Sequence, residues 1–196
     1  MCMKTHPAHS IKGPEWDRLY ESAAAQEGYF TTTQAAQSGY SPQLLAKYLQ
    51  NRRVIRVRRG VYRLVHFPAG EHEEFVVAWL WTKCAGVFSH ETALFLHGLS
   101  DVLPKLKHIT LPLPWSKRRL RIPKGIVPYF ADVPKGESTW IGPVPVTTPL
   151  RTLKDCIVAH TSPEITTQAA RDAIRRGLVT RSEVKSTRKR LAKETG

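Results

Sequence analysis

The chain has 196 residues, 41% of them apolar, and carries 30 Lys and Arg against 16 Asp and Glu for a net charge of +14. That length and apolar content build one large domain or two small ones, and the charge predicts attraction to nucleic acid or another anionic surface. No apolar run reaches membrane-span length, MCMKTHPAHSIKG lacks a signal-peptide core, and Cys2, Cys84 and Cys156 are scattered without a CxxC, so a spanning, exported, disulfide-framed or cysteine–zinc protein is not expected and a soluble, cytoplasmic one is.

The charge is uneven: 10 basic and 4 acidic residues over 1–68, 11 and 9 over 69–165, and 9 and 3 over 166–196. Basic ends around a nearly neutral middle suggest two polyanion-facing regions flanking a globular core.

Trp16, Leu19, Tyr20 and Ala23 recur at helical spacing and predict a helix over 15–26, stopped by Gly28. Tyr29 and Phe30 form a short extended piece. In TTTQAAQSGYSPQLLAKYLQN, Thr32 or Thr33 caps a short helix that Gly39 ends, and Ser41 caps a second helix with Pro42 at its first position. Two short helices around a glycine turn make a helix-turn-helix. On a helical wheel Leu44, Leu45, Tyr48 and Leu49 share one side, while Gln43, Ala46, Lys47 and Gln50 share the other. The second set suits the groove-facing side of a recognition helix, although an ordinary amphipathic helix has a similar outer face.

The next segment decides between them. Val54 to Arg58 alternates like a strand, Arg59-Gly60 signals a tight turn, and Val61 to Leu64 returns. Ile55 and Val57 are expected on the inward face, with Arg56 and Arg58 outward. A basic hairpin after a recognition helix is the wing of a winged helix-turn-helix. A merely solvated hairpin predicts mixed charge, yet no acidic residue occurs between Pro42 and Leu64. The candidate DNA contacts are therefore Thr32, Thr33, Ser41, Gln43, Lys47 and Gln50 on the helices, with Arg52, Arg53, Arg56, Arg58 and Arg59 on the exit and the wing.

Pro68-Ala69-Gly70 reads as a linker, dividing the chain into residues 1–67 and 68–196. Beyond it, 71–84 is a buried helix with an acidic first turn. Ser89 caps a helix that Gly98 closes. Residues 108–113, 126–130 and 144–147 are strands. Thr148-Pro149 and Ser162-Pro163 each open a helix, the second ended by Gly177. TRSE (Thr180 to Glu183) is a capping box before a last basic helix. Helices outnumber strands without βαβ alternation, so an α+β domain is expected.

Ser89-His90-Glu91 invites a catalytic reading, but a nucleophile needs a base oriented beside it, and adjacent residues at a helix start point different ways. His90 and His97 have no third ligand at metal-motif spacing. No catalytic residue, metal or cofactor is expected. Arg151 and Asp155 are placed for a helix ion pair or for a cleft with Thr147 and Thr148. WSKRRLRIPKG places Lys117, Arg118, Arg119 and Arg121 beside Trp115 and forms a second candidate polyanion contact, or a solvated loop.

The stretch FTTTQAAQSGYSPQLLAKYLQNRRVIRVRRGVYRL resembles the N-terminal winged-helix domain of AbiEi-type antitoxins of type IV toxin–antitoxin (abortive-infection) systems. FSHETALFLHGLSD, HITLPLP and VPVTTPLRTLKD resemble that family's second domain in order and spacing. The resemblance covers about Thr31 to Leu178. It departs at Arg52-Arg53, where relatives often carry a glycine turn. It implies a repressor that binds inverted repeats of double-stranded DNA in its own promoter as two copies. It further implies a second domain that counters a nucleotidyltransferase-like toxin without forming a stable complex. The competing expectations are a winged-helix regulator lacking a toxin partner, and an enzyme acting on the toxin or on nucleic acid.

Overall fold

The computed structural model describes residues 13–101 and 104–194; Cys2 lies outside them. The chain is mixed α+β, with two sheets. It divides into two compact units, Met1–Ala85 with Gly142–Val144, and Gly86–Ile141 with Pro145–Gly196.

The first unit runs α1 (Trp16–Ala24), β1 (Tyr29–Thr31), α2 (Thr32–Gln37), α3 (Pro42–Gln50), β2 (Val54–Arg58), β3 (Val61–Leu64) and α4 (Glu73–Trp81). Gly28, at φ +85, turns the chain out of α1 while its N–H donates to the Ala23 carbonyl. A side chain there would strike Phe67 at 2.6 Å, so only glycine fits. The cap of α2 is Thr31, one residue before the expected pair: its hydroxyl accepts from Gln34 N–H and the Gln34 side chain accepts from Thr31 N–H. Pairing of Thr31 with Val61 in the sheet sets that register. Ser41 caps α3 as expected, accepting from Leu44 N–H at 3.2 Å.

The sheet order is β1-β3-β2, all antiparallel. Leu19, Ala23, Phe30, Ala35, Tyr40, Leu45, Val54, Tyr62 and Leu64 form one core, with Leu44, Tyr48 and Leu49 packed on it. The apolar wheel face of α3 therefore packs as its spacing predicts.

The compact units do not divide at residues 67/68. Glu73 on α4 accepts from Arg63 on β3 at 2.9 Å, and Glu27 after α1 accepts from His72 N–H at 3.0 Å. These ties, together with Trp79, Val76 and Phe75, all buried, keep α4 in the first unit. Pro68-Ala69-Gly70 is irregular chain inside that unit.

The second unit contains β4 (Val87–Phe88), α5 (His90–Leu96), β5 (Lys107–Leu111), β6 (Ile126–Phe130), β7 (Ser138–Ile141), β8 (Val144–Thr147), α6 (Pro149–Val158), α7 (Pro163–Arg175) and α8 (Arg181–Glu194). Its sheet order is β6-β5-β4-β8-β7. β4 pairs antiparallel with β5 and parallel with β8, and β5 pairs parallel with β6. Phe88, Ile109, Leu111 and Val146 at the sheet centre are fully buried. A helical core joins Leu94, Leu99, Leu153, Cys156, Ala169, Ala170, Ala173 and Val179. Thr180 and Glu183 form the expected capping box. Ser89, Thr148 and Ser162 occupy N-cap positions without a capping hydrogen bond.

Candidate nucleic-acid interface

The turn between α2 and α3 depends on Gly39, at φ +80, and on Tyr40 N–H donating to the Ala35 carbonyl. It leaves Gln43, Ala46, Lys47 and Gln50 exposed on the outer side of α3. Thr33 and Ser41 are exposed, Ser41 with its hydroxyl engaged in the cap. Thr32 N–H donates to the Gly60 carbonyl at 3.0 Å, which fastens the start of α2 to the tip of the hairpin. Thr32 is thus a brace between helix and hairpin before it is anything else.

Arg52 leaves α3 in the left-handed region, φ +53. Arg52 N–H reaches the Leu49 carbonyl and Arg53 N–H the Tyr48 carbonyl, the pattern that ends helices and favours glycine. The chain keeps this exit geometry with an arginine and displays the side chain to solvent. Arg53 lies 5.5 Å over the Tyr48 ring, and Tyr48 in turn meets Trp16 and Tyr40.

The hairpin faces differ from the expectation. Val54 pairs with Leu64 and Arg56 with Tyr62, and directly opposed residues share a sheet face. Val54, Tyr62 and Leu64 are core, so Arg56 continues the inward face where helix cover ends, and it stands exposed. Ile55 opposes Arg63 on the other face, and Val57 falls where the register shifts between Arg56 and Arg58. Ile55 is 46% and Val57 42% exposed. The local pattern VIRVR fits either phase; pairing with buried Leu64 selects the one that hides Val54.

Arg59 is exposed at the tip. Arg58 is half-buried, and its Nη1 is closed to solvent without an acceptor among the described residues. Arg63 has a different job: it bonds Phe67 O, Pro68 O and Glu73 and covers the Tyr29 ring. Its position opposite Tyr29 in the register is the sequence-distant signal that sets it apart from the other arginines.

Lys117, Arg118, Arg119 and Arg121 in the second unit are all exposed.

The three second-domain motifs supply most of one polar cluster. Ser89 Oγ lies 2.8 Å from His90 Nδ1 and 2.8 Å from Thr110 Oγ1. Adjacent residues do therefore meet, contrary to expectation, because His90 sits at φ +53. Thr110 donates to Ser89, and the Ser89–His90 hydrogen bond fits either imidazole tautomer. Ser89 has no solvent exposure, and its hydroxyl is occupied on both sides. Tyr129 stacks on His90 at 3.6 Å and meets His108 Nδ1 at 3.2 Å. Burial, then the neighbouring His108 and Arg151, push the His90 pKa down to about 4. Burial also lowers His97 and His108. His97 Nε2 is 2.7 Å from the Thr147 carbonyl, and the Thr147 and Thr152 hydroxyls are 2.7 Å apart. Arg151 forms the expected pair with Asp155 at 2.7 Å and a second with Glu137; both Arg151 and Asp155 are largely buried. Burial drives the Cys156 thiol up to about 12, an unreactive state. No group of three metal-ligating side chains occurs among the described residues, and no helix among them is long and apolar enough to cross a membrane.

Residues 17–65 match the family model described as transcriptional regulator, AbiEi antitoxin. Over this quarter of the chain the protein is similar to the AbiEi antitoxin regulators. The AbiEi match begins within α1 and ends just after β3, so it contains the helix pair, the hairpin and every arginine of the basic stretch. No curated protein sequence matches the chain. The crystal structure of the RV2827C protein from Mycobacterium tuberculosis overlays with a TM-score of 0.40 at 16% identity, covering 90% of this chain and 81% of that one.

Proposed function

We propose that the protein is a DNA-binding antitoxin that represses its own operon. The first unit acts as a winged helix-turn-helix: α3 reads base edges through Gln43, Lys47 and Gln50, and the hairpin holds phosphates through Arg56, Arg58 and Arg59. The observation that carries this reading is the AbiEi segment's exposed basic surface, with no acidic residue from Pro42 to Leu64. Two copies sit on inverted repeats, each reading one half-site. The second unit counters a nucleotidyltransferase-like toxin encoded beside it, acting without catalysis and without a lasting complex.

A footprint of the full chain on its own upstream DNA tests the regulatory half. Protection of an inverted repeat is expected, and uniform protection of unrelated DNA at the same concentrations would overturn it. Co-expression with the adjacent toxin gene tests the other half: growth is restored, and the two proteins do not co-purify. Continued growth arrest at full antitoxin expression removes that assignment.

A further inference from the structure

The second unit holds a cavity of about 530 Å³ between the end of α6, the start of α7 and the last turns of α8, a size within the range of small-molecule sites. The local sequence explains why the space is open. α8 is poor in apolar residues and rests on the unit through Val184, Thr187 and Leu191, which share one face at helical spacing. α7 turns Ala169, Ala170 and Ala173 into the helical core. Short side chains, Thr166 and Thr167 from α7 and Ala192 from α8, therefore meet the gap from both helices.

The wall is apolar. Ile157, Val158 and Leu191 line it, and Val158 is 57% exposed. A ligand with an apolar body would take this surface out of water. The polar lining has one sign: Arg188 and His160 border the cavity and no carboxylate does. Arg188 forms no ion pair among the described residues. His160 leaves α6 at φ +53, its N–H donating to the Ile157 carbonyl while Thr161 N–H donates to the Cys156 carbonyl. Glycine is favoured at such an exit, and a strained non-glycine backbone of this kind often accompanies function. The chain keeps an imidazole, with its ring N–H donor, beside the cavity instead.

We propose that this cavity binds a small amphipathic carboxylate. Its apolar body lies against Val158 and Leu191, and its carboxylate is held by the Arg188 guanidinium and the His160 imidazole. A guanidinium matches the two carboxylate oxygens with paired donors. An apolar cation would be repelled by Arg188, and an uncharged apolar molecule would leave it unmatched. The site lies wholly in the second unit and stands apart from the DNA-binding reading of the first.

The test is calorimetric titration of the full chain with decanoate, decanol, decylamine and acetate, all below micelle formation. The variants are Arg188→Gln and Ala192→Phe, both at exposed positions, and melting curves without ligand check that they fold. Decanoate is expected to bind saturably, one per chain, and to raise the melting temperature as its concentration rises. Acetate lacks the apolar body and decylamine has the wrong charge, so neither should bind. Arg188→Gln should weaken decanoate about tenfold or more, bringing it to the level of decanol. Ala192→Phe fills the cavity and should abolish binding of both. Chemical-shift changes in the wild type, expected at residues 157–161 and 188–192, locate the site without any substitution. Shifts confined to other residues overturn the proposal, as does decanoate binding that is unsaturable, equal to that of decylamine or unchanged in both variants. Loss in Ala192→Phe alone would leave an apolar cavity without an anion clamp and overturn the carboxylate assignment.

Discussion

The Arg63 guanidinium donates to the Glu73 carboxylate at 2.9 Å, tying β3 of the hairpin to the first turn of α4. Burial pushes the Glu73 carboxyl up, but hydrogen bonds from Gly70 N–H and Arg63 outweigh it and hold the pKa below the usual carboxylate range. Glu73→Gln should cost about 1–3 kcal/mol, the range for a part-buried hydrogen bond to a charged group. A carboxylate with a depressed pKa stabilises above its unfolded pKa and loses that contribution as pH falls through the folded one. The variant should therefore lose stability at neutral pH and lack part of the acid-limb slope. Urea midpoints equal to wild type at pH 7 would show the tie to be neutral.

Arg56→Ala with Arg58→Ala should weaken binding to operator and unrelated duplex alike and flatten the salt slope by about 0.9 per phosphate. Gln43→Ala with Lys47→Ala should mainly reduce the preference for operator. Anisotropy titrations on both duplexes distinguish the two patterns. An arginine pair that altered neither affinity nor slope would remove the wing from the interface.

Arg52 holds a left-handed conformation, φ +53, at a helix exit where glycine is favoured. Relief of that strain, less the entropy glycine gains when unfolded, should make Arg52→Gly more stable by up to about 1 kcal/mol. The same change removes one exposed cation and should lower duplex affinity. Chemical denaturation and DNA titration read the two effects separately. A stabilised variant with wild-type affinity would make Arg52 a bystander.

His90 is buried and neutral, its pKa about 4. An unfolded histidine titrates near 6.5, so on acidification the unfolded state takes up the proton first. Stability is then complete above about pH 6.5 and falls towards pH 4, by roughly 3 kcal/mol at ~1.4 kcal/mol per unit. His97 and His108, also lowered by burial, add in the same direction. His90→Asn, which tolerates the left-handed backbone, should show a shallower loss over that window. Denaturation midpoints between pH 4 and 7 that are parallel for the two proteins would contradict the buried neutral imidazole.

Local signals in the chain determined much of the first unit. Gly28 and Gly39 are the stops, Ser41-Pro42 the start of α3, and the spacing of Leu44, Leu45, Tyr48 and Leu49 the face it buries, because each acts within a turn or two of its own position. The basic, acid-free run from Pro42 to Leu64 was equally plain. Features that depend on a distant partner required the tertiary structure. Val54 or Ile55 could lead the inward phase of the hairpin until Leu64 came opposite. The two-residue strand β4 and the short β7 have no pattern of their own and exist by pairing with neighbours. The linker-like Pro68-Ala69-Gly70 lies inside the first unit because Arg63 and Glu27 capture the start of α4 from across the sequence. Ser89 and His90 meet through a backbone angle that no residue pattern announces. Periodicity and caps are written in adjacent residues, whereas register, pairing and buried charge are set by which segments the folded chain brings together.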